Sequence, residues 1–110
     1  MSKLHESQFE ILHKNSQAVN KDDMHAYLNE LSGWRIESVA GINQLVKQYT
    51  FDTFVSALDF TNKVAALAEE FNHHPALLTE WGKTTVRWWT HSVGGLHKND
   101  FIMAAKTEKL

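Results

Sequence analysis

The stretch Glu69-Glu70-Phe71-Asn72-His73-His74-Pro75 gathers the groups of this chain best suited to moving protons. Histidine is the side chain whose ordinary pKa lets it both take and give a proton near neutral pH. Two adjacent imidazoles at a helix end, with Pro75 fixing the exit, are held by a rigid scaffold yet reach solvent. Such a pair also occurs as a plain charge partner of the helix dipole, so it does not identify a site alone. A third histidine, His91, closes the last strand, where alternation puts it on one face with Arg87 and Trp89. A hairpin could bring it beside the other two. Trp81, Trp88 and Trp89 interleave with this region, and aromatic walls next to proton-transfer groups suit a flat heteroaromatic ligand. Each tryptophan alone reads better as a core or interface aromatic. Asp100 stands third in the last helix, where it most simply serves the helix's positive end.

Other chemistries fit less well. Three histidines and a carboxylate are suitable zinc ligands by type. The helical pattern of two histidines four residues apart around a glutamate is missing, however, and adjacent histidines rarely chelate one ion, so no metal and no cofactor is expected. There is no cysteine, which excludes disulfides, a thiolate nucleophile and thiolate metal sites. No Gly-x-Ser-x-Gly elbow, phosphate-binding loop or dinucleotide fingerprint is present. Glu69, Glu70 and Glu80 leave a glycosidase-type carboxylate pair open without favouring it.

The elements that must hold these groups follow from periodicity. Asn20, with Asp23 in the first turn, predicts a helix start; Met24, Tyr27, Leu28 and Leu31 follow at helical spacing, and Gly33 ends the run. Trp34 to Val39 alternates with period two, Ala40-Gly41-Ile42-Asn43 supplies a turn, and Leu45 to Phe51 alternates again. Asp52 is the expected cap of the longest helix, from about Thr53 to Phe71. That helix carries one apolar row at Phe54, Leu58, Thr61, Ala65 and Ala68, and a second at Phe60, Val64, Leu67 and Phe71. Two rows exceed what one sheet face needs; either they form one broad core stripe, or the second meets another subunit. Leu77 to Trp81 and Thr84 to His91 predict two more strands about a Gly82-Lys83 turn, and a last helix starts near His97. The expected fold is α+β in two layers: a four-stranded antiparallel sheet with three helices packed on one face. Residues 20–110 form the domain, and residues 1–19 read as an N-terminal extension with no chemistry of its own.

Composition agrees with one ordinary globular domain. The chain has 110 residues, 43% hydrophobic and 22% charged, enough to bury a core without staples. A net charge of -2 argues against nucleic acid, which calls for a basic face. No apolar run approaches the ~20 residues of a membrane span, and no signal-peptide pattern opens the chain, so a soluble, cytoplasmic protein is expected.

Together, Glu69-x3-His73-His74-Pro75-x5-Trp81-x9-His91-x8-Asp100 resembles the signature of the pterin-4a-carbinolamine dehydratases. Gly33-Trp34 at the first strand and Thr90-His91 before a Gly-Leu loop are also as in that family, and the resemblance spans about residues 20–110. It implies the four-stranded antiparallel sheet read above and assembly into homodimers or homotetramers. It implies a hydro-lyase, 4a-hydroxytetrahydrobiopterin dehydratase, which removes water from 4a-hydroxytetrahydropterin to give quinonoid dihydropterin. That reaction recycles the pterin cofactor of aromatic amino acid hydroxylases, so a hydroxylase is an expected partner. By the same resemblance His73 and His91 do the acid/base work and His74 holds the pterin. Glu69 bonds the ring or orients an imidazole, Asn72 and Trp81 border the substrate, and Asp100 supports the His91 loop. Three positions depart from the pattern. Asn72 replaces a frequent Asp, His97 takes the usual Ser/Thr cap position, and Leu77 stands where an aromatic residue is common. The family also suggests two other roles. One is a non-catalytic dimerisation cofactor of a transcription factor, using the helix that carries Phe60, Val64 and Leu67; the other is a dehydratase-like step in molybdopterin metabolism.

Overall fold

The computed structural model describes residues 4–110. Helix α1 (Lys21–Asn29) begins where the Asn20 side chain accepts the Asp23 amide at 2.8 Å. Strands β1 (Arg35–Val39) and β2 (Ile42–Thr50) meet at a two-residue turn, Ala40-Gly41, shorter than the four-residue turn expected. Both turn residues have positive φ, 52° and 80°, the mirror-image conformation whose twist matches that of paired strands.

Helix α2 (Phe54–Phe71) is capped by Thr53, whose Oγ1 accepts the Ser56 amide at 3.0 Å, and not by Asp52 as expected. Thr53 has the extended backbone a cap needs, and its hydroxyl stands three residues before the free amide. Strands β3 (Ala76–Glu80) and β4 (Lys83–Trp88) turn at Trp81-Gly82, one residue earlier than expected. Gly82 has φ 75°, and a Cβ there would lie 3.1 Å from the Phe51 carbonyl oxygen, so only glycine closes this turn without strain. Helix α3 (Lys98–Thr107) completes the chain.

All four strands pair antiparallel in the order β1-β2-β4-β3, with three helices on one side, as expected. Pairing Leu45 with Trp88 and Lys47 with Val86 puts these side chains on the helix face. There Leu45, Val86 and Trp88 meet Val64 and Ala68 of α2 and Phe101, Met103 and Ala104 of α3. Each large apolar side chain so buried contributes about 1.5–3 kcal/mol relative to exposure. On the other face Arg87 donates to Glu37 at 2.9 Å and to Gln44 at 3.2 Å. Arg87, then Arg35, holds the Glu37 carboxyl below its ordinary value.

Helix α2 decides between the two alternatives for its rows. Phe60, Val64, Leu67 and Phe71 pack on this chain's own core, as one broad stripe requires. From the other row, Ala68 and Thr61 turn inward, with Thr61 Oγ1 2.7 Å from Thr79 Oγ1, while Phe54, Leu58 and Ala65 stay exposed. The rows are shoulders of one stripe centred on Ala57, Val64 and Ala68, and the Phe54–Leu58 shoulder is the bare one.

Within the stretch read as an extension, Leu4 is buried in the core, and the Lys106 Nζ donates to the His5 carbonyl at 2.7 Å. Asn99 clasps the Glu10 backbone, accepting its amide at 2.9 Å and donating to its carbonyl at 2.8 Å. The Val19 amide donates to the Leu96 carbonyl at 2.8 Å, so residues 4–19 are tied along α3 and the loop before it.

Candidate active site

Helix α2 ends not through Pro75 but at Asn72, which sits in the left-handed region at φ 49° and ψ 44°. The Asn72 amide donates to the Glu69 carbonyl and the His73 amide to the Ala68 carbonyl, the paired bonds of a Schellman motif. Asparagine tolerates this conformation better than most side chains. The abrupt reversal sends His73 inward and leaves His74 outside.

His73 is buried, and its Nε2 lies 2.6 Å from Oδ1 of Asp100, which is fully buried. A carboxylate there accepts, so Nε2 carries the hydrogen and Nδ1 is the nitrogen left with a free lone pair. The ring stacks on Trp88, centroids 5.9 Å apart and planes 13° apart, and the Phe9 ring meets it edge-on at 5.6 Å. Asp100 Oδ2 accepts twice more, from Thr90 Oγ1 at 2.7 Å and from the His97 amide at 2.9 Å. The second of these bonds is half of a capping box. The other half is His97, whose Nδ1 accepts the Asn99 amide at 3.0 Å. His97, standing where Ser or Thr is usual, caps the helix because a ring nitrogen without a hydrogen accepts as a hydroxyl oxygen would.

His74 is exposed, and its Nε2 meets Glu69 Oε2 at 2.5 Å on the preceding helical turn. His91 is also exposed, at the start of a short 3-10 turn that ends in left-handed Gly94. The turn is closed by a Thr90–Gly95 bridge, and the His91 ring packs against Trp89 at 5.0 Å. Thus one bonded residue, Thr90, links the base of the His91 turn to the carboxylate that holds His73.

All three histidines line one cavity of about 400 Å³, together with Asn72, Trp89 and Leu12. Asp100 and Glu69 stand behind imidazoles rather than on the cavity wall. Trp81 is not brought to the site. It lies at the β3–β4 turn, 72% exposed, a five-residue strand away from the cavity end of the hairpin, which is about 16 Å at the usual rise. Three contributors were not singled out from sequence: Thr90 as a partner of Asp100, and Phe9 and Leu12 from the N-terminal arm. In the sequence Thr90 stands out only by its place before His91, and nothing local marks the arm. Among the described residues, no three His, Asp or Glu side chains converge to hold a metal ion. No helix among them is long and apolar enough to cross a membrane.

Residues 17–110 match the family model for pterin 4 alpha carbinolamine dehydratase. A relative from Saccharophagus degradans, with pterin-4-alpha-carbinolamine dehydratase in its name, is 47% identical over all 110 residues, covering 97% of that protein. One from Marinobacter nauticus, similarly named, is 60% identical over 83 residues, 76% of this chain and 75% of its own. Among solved structures, a transcriptional coactivator/pterin dehydratase from Brucella melitensis superposes with a TM-score of 0.75 at 28% identity, covering 84% of this chain and 97% of its own.

Proposed function

The chain belongs to the pterin 4 alpha carbinolamine dehydratase family, and from that premise we propose that it dehydrates 4a-hydroxytetrahydropterin by histidine acid/base catalysis. One observation carries the proposal: His73, His74 and His91 line a single cavity beside Trp89, and Asp100 fixes one of the three. The reaction breaks the C4a–O bond and the N5–H bond and forms C4a=N5. The base takes the N5 proton, the acid delivers a proton to the departing hydroxyl, and water leaves.

The surroundings divide these tasks. An imidazole backed by a buried carboxylate is stabilised when it becomes imidazolium, which suits His73 Nδ1 as the base. Exposed His91 exchanges protons with water and suits the acid that protonates the hydroxyl. Trp89 offers a face for the pterin ring, while His74, steadied by Glu69, bonds its edge, with Asn72 beside it. Asp100 acts through His73 as a positioning residue. The product is the quinonoid form, which an aromatic amino acid hydroxylase cycle would return for reduction. Homo-oligomer formation is part of the same proposal, with the exposed Phe54–Leu58 shoulder of α2 as its surface.

The test is to generate 4a-hydroxytetrahydropterin with a hydroxylase and follow its loss by ultraviolet absorbance. Acceleration by the wild type is expected, with His73→Ala and His91→Ala each lowering turnover by about 10². Near-wild-type rates in both folded variants would sink the mechanism. No acceleration by the wild type would put a non-catalytic binding role, served by the same bare shoulder, in its place.

A further inference from the structure

A second cavity, of about 360 Å³, adjoins the histidine cavity, and nothing in the proposed chemistry occupies it. The two share Leu12, Asn72 and His73 as a common wall. The rest of the second cavity is built by the N-terminal arm, through Phe9, Glu10 and Ile11, and by Phe71 at the end of α2. Residues 9–11 lie outside the stretch that matches the family model.

Each cavity alone reaches the size of a small-molecule site. A two-ring pterin that presents N5 and C4a to the histidines in the first cavity has the second directly beside it, across the shared wall. The wall of the second is mainly hydrocarbon and aromatic, from Phe9, Ile11, Leu12 and Phe71. The charged side chain of its arm segment is Glu10, a carboxylate; among the described residues no Lys or Arg lines the cavity, Lys106 standing over the Phe71 ring at 4.7 Å. The arm is also held in register with the chemistry. Asn99 clasps the Glu10 backbone at 2.9 and 2.8 Å, and the next residue, Asp100, holds His73. A group lodged against the arm is thereby fixed relative to the imidazole that faces the ring.

We propose that this second cavity, walled by residues 9–12 and Phe71, is the subsite for the C6 substituent of the pterin, and that it selects a bulky, uncharged, apolar-bodied substituent over a methyl group or an anion. This rests on the pterin reading above and adds to it the class of substituent. The arm then sets specificity, whereas the family signature supplies the chemistry.

Binding of stable oxidised pterins, read by quenching of tryptophan fluorescence, tests the subsite without requiring turnover. The probes are 6-methylpterin, 6-phenylpterin and 6-carboxypterin. Wild type should bind the 6-phenyl compound about tenfold more tightly than the 6-methyl one, the scale of a modest apolar contact, and the 6-carboxy compound most weakly. The double variant Ile11→Ala, Leu12→Ala should reduce the phenyl-to-methyl ratio at least threefold; Ile11 is 91% exposed, so its truncation leaves the fold intact. Glu10 holds Asn99 through its backbone, while its carboxylate lies 3.6 Å from His97 Nε2, so Glu10→Gln, which keeps the clasp and a polar group beside His97, should tighten 6-carboxypterin several-fold. Equal wild-type affinity for the methyl and phenyl compounds, or ratios that neither variant moves, would overturn the subsite. Failure of the two readings is distinguishable. A C6 preference without accelerated dehydration keeps the subsite and removes the activity, and accelerated dehydration without a C6 preference does the reverse.

Discussion

His73 Nε2 lies 2.6 Å from Asp100 Oδ1, a contact across 27 positions of sequence that joins the end of α2 to the first turn of α3. The same carboxylate completes the α3 capping box and accepts from Thr90, so one fully buried group caps a helix, holds an imidazole and anchors the His91 turn. Those duties are coupled. Any change that moves α3 moves His73 with it.

Asp100→Asn tests that coupling with the side-chain shape kept. The amide can present an N–H where His73 needs an acceptor, which turns the ring to its other tautomer. Turnover is expected to fall about 10²-fold with KM little changed, since His73 is misdirected rather than removed. Stability should fall by about 1.5–3 kcal/mol, the scale of a hydrogen bond to a charged group. Loss in KM alone, at unchanged turnover, would count against a positioning role.

Much of this was legible in sequence, and the failures have physical causes. The spacing of His73, His74 and His91 placed all three at one end of a hairpin and a helix, and the cavity joins them. Trp81 lies only seven residues from His74, but an extended strand carries it to the far end of the hairpin. On α2 both rows are apolar, so periodicity defines the stripe without saying which shoulder the sheet covers. Tyr49 decides that, its ring packing tilted against Phe60 with centroids 4.5 Å apart, across a distance in sequence that no local pattern encodes. The arm shows neither strand nor helix period; it is positioned by Asn99, 89 residues from Glu10.

Asn72 gives a second test, of the backbone that aims the histidines. Alanine at φ 49° pays the left-handed penalty of about 1–2 kcal/mol, whereas glycine does not. Asn72→Ala should therefore melt several degrees below wild type, and Asn72→Gly close to it. Equal melting temperatures for the two variants would show that the reversal carries no strain.

At the opposite end of the molecule, Tyr49 donates its hydroxyl to Glu108, which also receives Lys47 Nζ at 2.8 and 2.9 Å. Burial first, and then the Glu108 carboxylate, push the Tyr49 phenol far above its ordinary value of 10.0. Because the folded value is raised, the phenol's contribution is fully present below pH 10 and is lost as pH climbs toward the folded value. Wild type should lose stability above pH 10 more steeply than Tyr49→Phe, which lacks the group. Melting curves from pH 9 to 11.5 read the difference, and parallel declines would refute it.

The last test separates the two shoulders of α2. Phe54, Val55 and Leu58 are 43%, 64% and 40% exposed, an apolar row on a helix that already buries its opposite shoulder. Such a row on a small domain is the ordinary mark of an association surface. Wild type is expected to sediment above monomer mass at micromolar concentration, and Leu58→Asp to bring it to the monomer with the fold kept. Val64 is fully buried in the core, so Val64→Ala should cost about 2 kcal/mol of stability and leave the assembly formed. A row that serves only this chain's core would give the reverse pattern, with Leu58→Asp unfolding the protein and no assembly to lose. Sedimentation and melting of the two variants side by side therefore decide which shoulder faces another subunit.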